Sequence, residues 1–357
     1  MKVALPQGNM HGWGVAGENL SRELSHMPYL EGTMLHGCTA SFRPGTLSEL
    51  GKINIAYCFF ELDIEALRHT RRAAKEWDAI VAGSRWCEYH LRIGGVEQTC
   101  TIYQGIDQAV FSPAETRPVD GRFIVFSGGK FELRKSQDIV IAAMRVFMQR
   151  HSDAWLSCAW HNFWPSSMTS MAHSQHIRYR HHERDVDRSI MDTLHENGIP
   201  LERVILNPPC DNSRMHSIYT STDIGLFPNR CEGGTNLVMC EYMSSCRPVI
   251  ASDMTGQRDV IRQGNSMPLT EYSPRLIEEN HIPLGVWFEP CVEEVIESLE
   301  YAYRHRELLD TIAYTGAEDM KRLTWAGAAR QFHFLANRLA LRHEYPSAAS
   351  RFQKAAP

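Results

Sequence analysis

The chain has 357 residues, long enough for two domains with a core each, and its 43% apolar and 22% charged residues describe an ordinary soluble protein. A formal net charge of −5 argues against nucleic acid as a partner, and no apolar run approaches the ~20 residues that span a bilayer. The opening MKVALPQGNMHGWG enters a strand and a glycine turn without a charged leader, and the ten cysteines show no CxxC pair or metal-ligand spacing, so a reduced, cytoplasmic protein is expected.

The first hundred residues read as one small α/β domain. Residues 1–5 predict a strand, after which Gly8, Gly12, Gly14 and Gly17 lead into a helix over 18–24. No ribose-binding acid follows at the distance that a dinucleotide fingerprint requires. Further strands are expected at 32–36, 53–60 and 79–83, with helices at 64–75 and 85–93. Residues 114–121, AETRPVDG, read as a linker.

The second half repeats the alternation, which predicts a second parallel sheet with helices on both faces and strands at 123–126, 154–160, 204–206, 224–227 and 249–251. After the first of these come a Gly128-Gly129 turn, Lys130 and Lys135, and a helix from Gln137. A glycine turn lets backbone approach a diphosphate, and the lysines neutralise charge on a leaving group; solvated lysines in a turn are the plain alternative. Five histidines follow between 161 and 182, but no HxxxH lies on a clear helix and no carboxylate or cysteine pattern completes a metal site. A mobile loop carrying Arg178, Arg180 and Arg184 near an acceptor or an anionic surface is the preferred reading there.

Residues 231–256, CEGGTNLVMCEYMSSCRPVIASDMTG, hold a ligand loop, a helix and a buried strand in succession. Gly233 and Gly234 remove side chains where backbone must come close to a ligand. Thr235 and Asn236 can start a helix at Leu237 whose free N–H groups would face an anion. Glu232 and Glu241 flank that helix start.

This order resembles the donor site of GT-B fold retaining glycosyltransferases, specifically the family-four group (glycosyl transferases group 1), whose pattern runs E-G-x-G-x-x-x-x-E-A-M-A-x-G-x-P-V-I-A-S. Glu241-Tyr242-Met243 and Arg247 to Ser252 match its second half; Glu232 stands nine positions before Glu241 where eight is usual, which predicts a slightly different loop. Residues 122–143 resemble G-R-x-x-x-x-K-G, with Lys130 at the arginine, Lys135 at the lysine, Ser136 at the final glycine and Arg134 as a substitute cation. Residues 103–113 resemble N-G-V-D-x-x-x-F-x-P, and 218–229 resemble L-Y-x-x-A-D-V-x-x-x-P-S, in which Asp223 is read as structural. The match covers 103–340 well and the first hundred residues loosely.

The resemblance implies an α/β GT-B fold, two Rossmann-like doubly wound domains facing across a cleft. Its domains would be an acceptor domain at 1–117, a donor domain at 118–327, a helix at 328–345 returning to the first domain and a tail at 346–357. It implies a hexosyltransferase-type enzyme that moves a sugar from a nucleotide diphosphate donor such as a UDP-, GDP- or ADP-sugar to a hydroxyl of a glycan, lipid-linked sugar or small molecule, with retention. In that site Lys130 and Lys135 face the diphosphate with Gly128, Gly129 and the backbone of Gly233 to Leu237, Glu232 holds the sugar, Glu241 the ribose, and Asn207-Pro208 the base. Gly12, Trp13 and Gly14 become candidates for sugar or phosphate contact, against a plain turn. The family histidine at the end of a first-domain strand is absent, and Glu61 either replaces it or is merely exposed there. No metal and no cofactor are expected, and peripheral membrane association fits a lipid-linked acceptor. The alternatives are a degenerate scaffold that binds nucleotide sugars and a sugar-nucleotide epimerase on the same fold.

Overall fold

The computed structural model describes residues 1–44, 50–114 and 121–344. Most of the expected linker and all of the expected tail at 346–357 lie outside them. The chain divides into two units, Met1–Gly105 with the segment from Leu323 onward, and Ile106–Arg322. Residues 106–114 pack with the second unit: the Ser244 hydroxyl donates to the Phe111 carbonyl at 2.7 Å and the Ala114 N–H to the Ser245 carbonyl at 3.4 Å.

In the first unit five parallel strands, β1 (Lys2–Ala4), β2 (Thr33–Cys38), β3 (Ile53–Cys58), β4 (Ala79–Ala82) and β5 (Thr99–Thr101), lie side by side in chain order. The helices are α1 (Gly12–Ser25), α2 (Asp63–Glu76) and α3 (Arg85–Ile93), and the chain's last described helix, Trp325–Glu344, packs on α1 and β3. Helix α1 starts at Gly12, six residues before the expected 18, because His11 caps it, its Nδ1 accepting the Gly14 N–H at 3.0 Å. A Cβ on Gly14 or Gly17 would strike the carbonyls of Gly8 and Pro6, so these glycines let the helix press on the loop after β1.

The second unit holds a parallel sheet of β6 (Phe123–Gly129), β7 (Ala154–Trp160), β8 (Val204–Leu206), β9 (Ile224–Phe227), β10 (Val249–Ser252) and β11 (Met267–Leu269). Its order is β11-β10-β9-β6-β7-β8. From β6 the chain steps one way to β7 and β8, and from β9 the other way to β10 and β11. The order therefore reverses between β6 and β9, and the loops leaving their C-terminal ends diverge around a crevice, the place where open α/β sheets take ligands. Helices α4 (Gln137–Arg150), α5 (Val186–Glu196), α6 (Met215–Thr220), α7 (Leu237–Ser244), α8 (Val292–Arg304) and α9 (Arg306–Met320) complete the unit, and Trp325–Glu344 is α10. Asp223 is structural, as read: its Oδ2 accepts the Ile124 N–H at 2.7 Å and ties β9 to β6.

Sequence reading missed the antiparallel hairpin β12 (Tyr272–Glu279) and β13 (Ile282–Pro290). Its turn is Asn280-His281, both at positive φ (49° and 62°), the geometry that Asn-Gly usually marks; histidine in the second place hid it.

Three of the seven non-glycine residues at positive φ among the described residues stand beside the crevice. Ser136 (φ 61°), Asn236 (φ 63°) and Thr255 (φ 45°) are left-handed without being glycine, each at a cost of about 1–3 kcal/mol. Ser136 stands where the resembled motif has glycine, and its φ of 61° and ψ of 32° supply the reason. The Ser136→Gly variant should keep its stability within about 1 kcal/mol, relief of strain offsetting unfolded-chain entropy, whereas Ser136→Val should lose about 2 kcal/mol or more. Denaturant midpoints decide this, and an unimpaired valine variant would overturn the strain argument.

Candidate functional site

Glu232 follows β9 and lies buried, 5% exposed. Lys135 Nζ reaches its Oε1 at 2.5 Å, Arg134 Nη1 its Oε2 at 3.2 Å, and the Asn229 amide donates to Oε1. The Thr255 hydroxyl accepts the Glu232 N–H at 2.9 Å, and the Gly256 N–H donates to the Glu232 carbonyl at 3.0 Å. A side chain on Gly256 would collide with the Gly234 carbonyl, so only glycine lets this turn underlie the Gly233-Gly234 loop.

The electrostatics follow. Burial pushes the Glu232 carboxyl up, but the charges of Lys135 and Arg134 and the hydrogen bonds from Lys135 and Asn229 outweigh it and hold the group below the ordinary carboxylate range. Burial draws the Lys135 ammonium below the usual lysine value, with Glu232 pulling against it.

Helix α7 begins beside this pair. Asn236 is its N-cap, Oδ1 accepting the Met239 N–H at 3.4 Å, and Leu237 opens the first turn. The Asn236 Nδ2 is buried and has no hydrogen-bond partner. A buried donor without a partner costs about 1–3 kcal/mol, and here it stands at a helix N-terminus that favours an anion. Gly128, at the end of β6, lies against the same turn, since a Cβ there would sit 2.9 Å from Val238 Cγ1. Thr235 is buried, with its carbonyl accepting from Cys240 Sγ at 3.4 Å.

Glu241 lies inside α7, 2% exposed, and its two oxygens accept from the Asn212 amide at 2.9 Å and the Tyr219 hydroxyl at 3.0 Å. Burial pushes its carboxyl up to about 8 against those bonds. The two glutamates that bracket the loop thus have opposite electrostatic fates.

The remaining expected residues divide. Lys130 does not join Glu232; its Nζ is 5.4 Å over the Trp164 ring and 3.8 Å from Glu132. Arg134 is the second cation at the carboxylate, and it also donates to the Cys231 carbonyl at 2.9 Å and to Glu132 at 2.7 Å. Gly129 ends β6 at φ 112°. Asn207 follows β8 with its amide on Ser157 Oγ and the Cys158 carbonyl, and Pro208 is exposed. In the first unit Gly12, Trp13 and Gly14 form the first turn of α1, and Trp13 meets Phe59 edge to face at 4.9 Å, two residues before Glu61. Asn229, Thr255, Tyr219 and Asn212 were not foreseen. Tyr219 and Asn229 occupy the tyrosine and the serine of the resembled L-Y-x-x-A-D-V-x-x-x-P-S motif and so had a signal, whereas Thr255 and Asn212 reach the glutamates only through folding.

Three of the five histidines find protein partners, His176 meeting Glu289 at 2.9 Å, His182 Asp192 at 2.8 Å and His181 Tyr179 at 3.0 Å, whereas the buried Nε2 of His161 has none. Among the described residues no group of three or more His, Cys, Asp or Glu is placed to hold a metal ion, and no helix is long and apolar enough to cross a membrane.

Residues 184–280 match the family model described as Glycosyl transferases group 1. No curated protein sequence matches the chain. Sucrose-phosphate synthase from Thermosynechococcus elongatus is similar in structure, with a TM-score of 0.64 at 17% identity over 92% of this chain and 78% of that one. HepE from Anabaena, solved with UDP and glucose, gives 0.58 at 15% over 80% and 72%. TarM of S. aureus, solved with UDP, fondaparinux and α-GlcNAc-glycerol, gives 0.61 at 12% over 90% of this chain and 59% of TarM. The fold is GT-B, and the resemblance to the group 1 glycosyltransferases is borne out.

The Glu241 environment generates a pH test. The folded value of about 8 lies above the ordinary 4.5, so the folded chain keeps a proton that the unfolded chain releases. This contribution is fully present below the unfolded value and is lost as the pH climbs towards 8. Between about pH 5 and pH 8 the wild type should therefore lose on the order of 3–5 kcal/mol relative to Glu241→Gln, whose amide does not titrate. Denaturation curves at several pH values measure it, and parallel pH dependences for the two chains would remove the buried neutral carboxyl.

Proposed function

We propose that this GT-B chain is a glycosyltransferase that moves a hexosyl group from a nucleotide diphosphate donor to a hydroxyl acceptor, with retention at the anomeric carbon. The observation that carries it is the Lys135–Glu232 pair beside the α7 N-terminus, with the unpartnered Asn236 amide, where the order of the second sheet reverses. Breaking a glycosyl–diphosphate bond sends negative charge onto the diphosphate. Lys135, Arg134 and the first N–H groups of α7 supply fixed positive potential for that charge. Glu232 orients Lys135 and offers an acceptor for hydroxyls of the transferred sugar.

Glu241 lies in the same helix one turn on and takes the ribose. Near neutral pH its carboxyl is largely protonated, so it both donates and accepts, and the Asn212 amide is the partner that a ribose hydroxyl would replace. The family match, and the relatives solved with UDP, support a nucleotide donor, and a glycan hydroxyl is the acceptor class we favour. Retention is carried by the resemblance alone. The intact Glu232–Lys135 pair favours turnover over a scaffold that only binds.

Thermal shifts with UDP, GDP and ADP identify the base, because a ligand bound only by the folded chain raises its Tm. Nucleotide release from the matching sugar nucleotides tests turnover. Lys135→Ala should lower kcat about a hundredfold while the nucleotide Kd changes less than about fivefold, since the charge it meets grows during reaction. Equal losses in both would make Lys135 a simple binding residue. Glu241→Ala should weaken nucleotide binding about tenfold, given two ribose hydrogen bonds to a neutral carboxyl at about 0.5–1.5 kcal/mol each.

We also propose that turnover needs no divalent ion, because Lys135, Arg134 and the α7 N-terminus occupy that electrostatic role. Activity should persist in excess EDTA; loss on chelation with recovery by manganese would overturn this.

A further inference from the structure

Arg230 stands two residues before Glu232 with no solvent exposure at all. Its guanidinium grips Asp138, at the start of α4, through Nη1 at 2.7 Å and Nη2 at 2.8 Å. Nη1 also donates to the Leu133 carbonyl at 2.6 Å, and Nε donates to Glu289 of β13 at 2.9 Å. Its backbone is held as firmly. The Arg230 N–H donates to the Arg134 carbonyl at 2.9 Å, and its own carbonyl accepts the Phe288 N–H at 3.1 Å. One residue therefore bonds the turn that carries Lys135, the loop that carries Glu232, the first turn of α4 and the hairpin β12–β13. The hairpin end is itself braced, since Arg275 reaches Glu289 at 2.8 Å and the His173 carbonyl at 2.6 Å, and His176 reaches Glu289 at 2.9 Å.

A buried ion pair adds little stability over an apolar replacement of the same shape, because desolvation cancels most of the attraction. What it adds is geometry. The planar fork holds Asp138 with two nitrogens while still reaching Leu133, which a lysine ammonium cannot do.

We propose that Arg230 is a positioning residue: clamped by Asp138 inside and by the hairpin's Glu289 outside, it sets the approach of Lys135 to Glu232. The proposal rests on the reading of that pair as the transfer site. Arg230 touches no substrate in this scheme and acts through the backbone of Leu133 and Arg134. The hairpin, which the sequence did not reveal, becomes the outer strut of the donor site.

A double-mutant cycle tests this. Arg230→Lys should lower kcat about ten- to a hundredfold, as misplacement of a catalytic group does, while the UDP Kd stays within about threefold. In a Lys135→Ala background the same change should cost less than about threefold, because its target is already gone. Additive losses would overturn the proposal. Glu289→Gln loosens Arg230 from the hairpin side without removing the buried cation, and it replaces Arg230→Lys in the cycle if that variant does not fold.

Hydrogen exchange supplies a readout free of activity. Exchange in these variants should quicken at residues 131–140, 229–234 and 287–289, the segments that Arg230 bonds, whereas uniform quickening would reduce Arg230 to a general stability residue. A wild type that turns over no nucleotide sugar would sink the transfer reading by itself; the exchange pattern would still decide what Arg230 holds.

Discussion

Everything at the proposed donor site depends on keeping charge satisfied in a place where water is excluded. Glu232 is buried at the C-terminal end of β9, and an isolated carboxylate there would take up a proton. Two cations from the turn after β6 prevent it. Because β6 and β9 are neighbours whose chains leave in opposite directions, their loops are free to meet only at the crevice, and the ion pair is what registers one loop against the other. Arg230 repeats the same logic one layer deeper, with Asp138 and Glu289 as its anions. Two buried charge clusters thus lie two residues apart along the chain, one around Glu232 and one around Arg230.

That arrangement explains why Glu232 and Glu241 differ although the motif presents them as a pair. Both lie in low-dielectric surroundings. Glu232 has full positive charges against it and stays ionised, whereas Glu241, raised by burial and by the negative charge of Asp107 against the neutral Asn212 and Tyr219 donors, rises towards 8. Burial alone would have treated them alike. One is suited to hold an ammonium in place, the other to exchange hydrogen bonds with neutral hydroxyls.

Backbone strain fits the same picture. Ser136, Asn236 and Thr255 each adopt a left-handed conformation immediately beside a group of the site: Ser136 after Lys135, Asn236 at the cap of α7, and Thr255 beneath Glu232. At these three positions the strain lies where two loops and a helix start converge.

Local pattern by itself determined most of the scaffold. The apolar runs at 154–160 and 224–227 coincide with β7 and β9, since buried parallel strands must be continuous stretches of apolar side chains, and the run at 204–206 coincides with the half-buried edge strand β8. The helix start at Thr235-Asn236, the strand at Val249 and the structural part of Asp223 were equally legible, because each depends on neighbours a few residues away or on one ladder contact. The hairpin was not legible, because Asn280-His281 lacks the glycine that marks such turns. The choice of cation was decided only by tertiary structure: spacing set Lys130 beside Lys135, yet Lys130 turns to Trp164, and Arg134 crosses to a carboxylate 98 positions away. So was the division of labour between the glutamates, which rests on Asn212 and Tyr219, 29 and 22 positions from Glu241. A sequence reports which groups are available, but which charge a buried carboxylate meets is a property of distance in space, and only packing sets that distance.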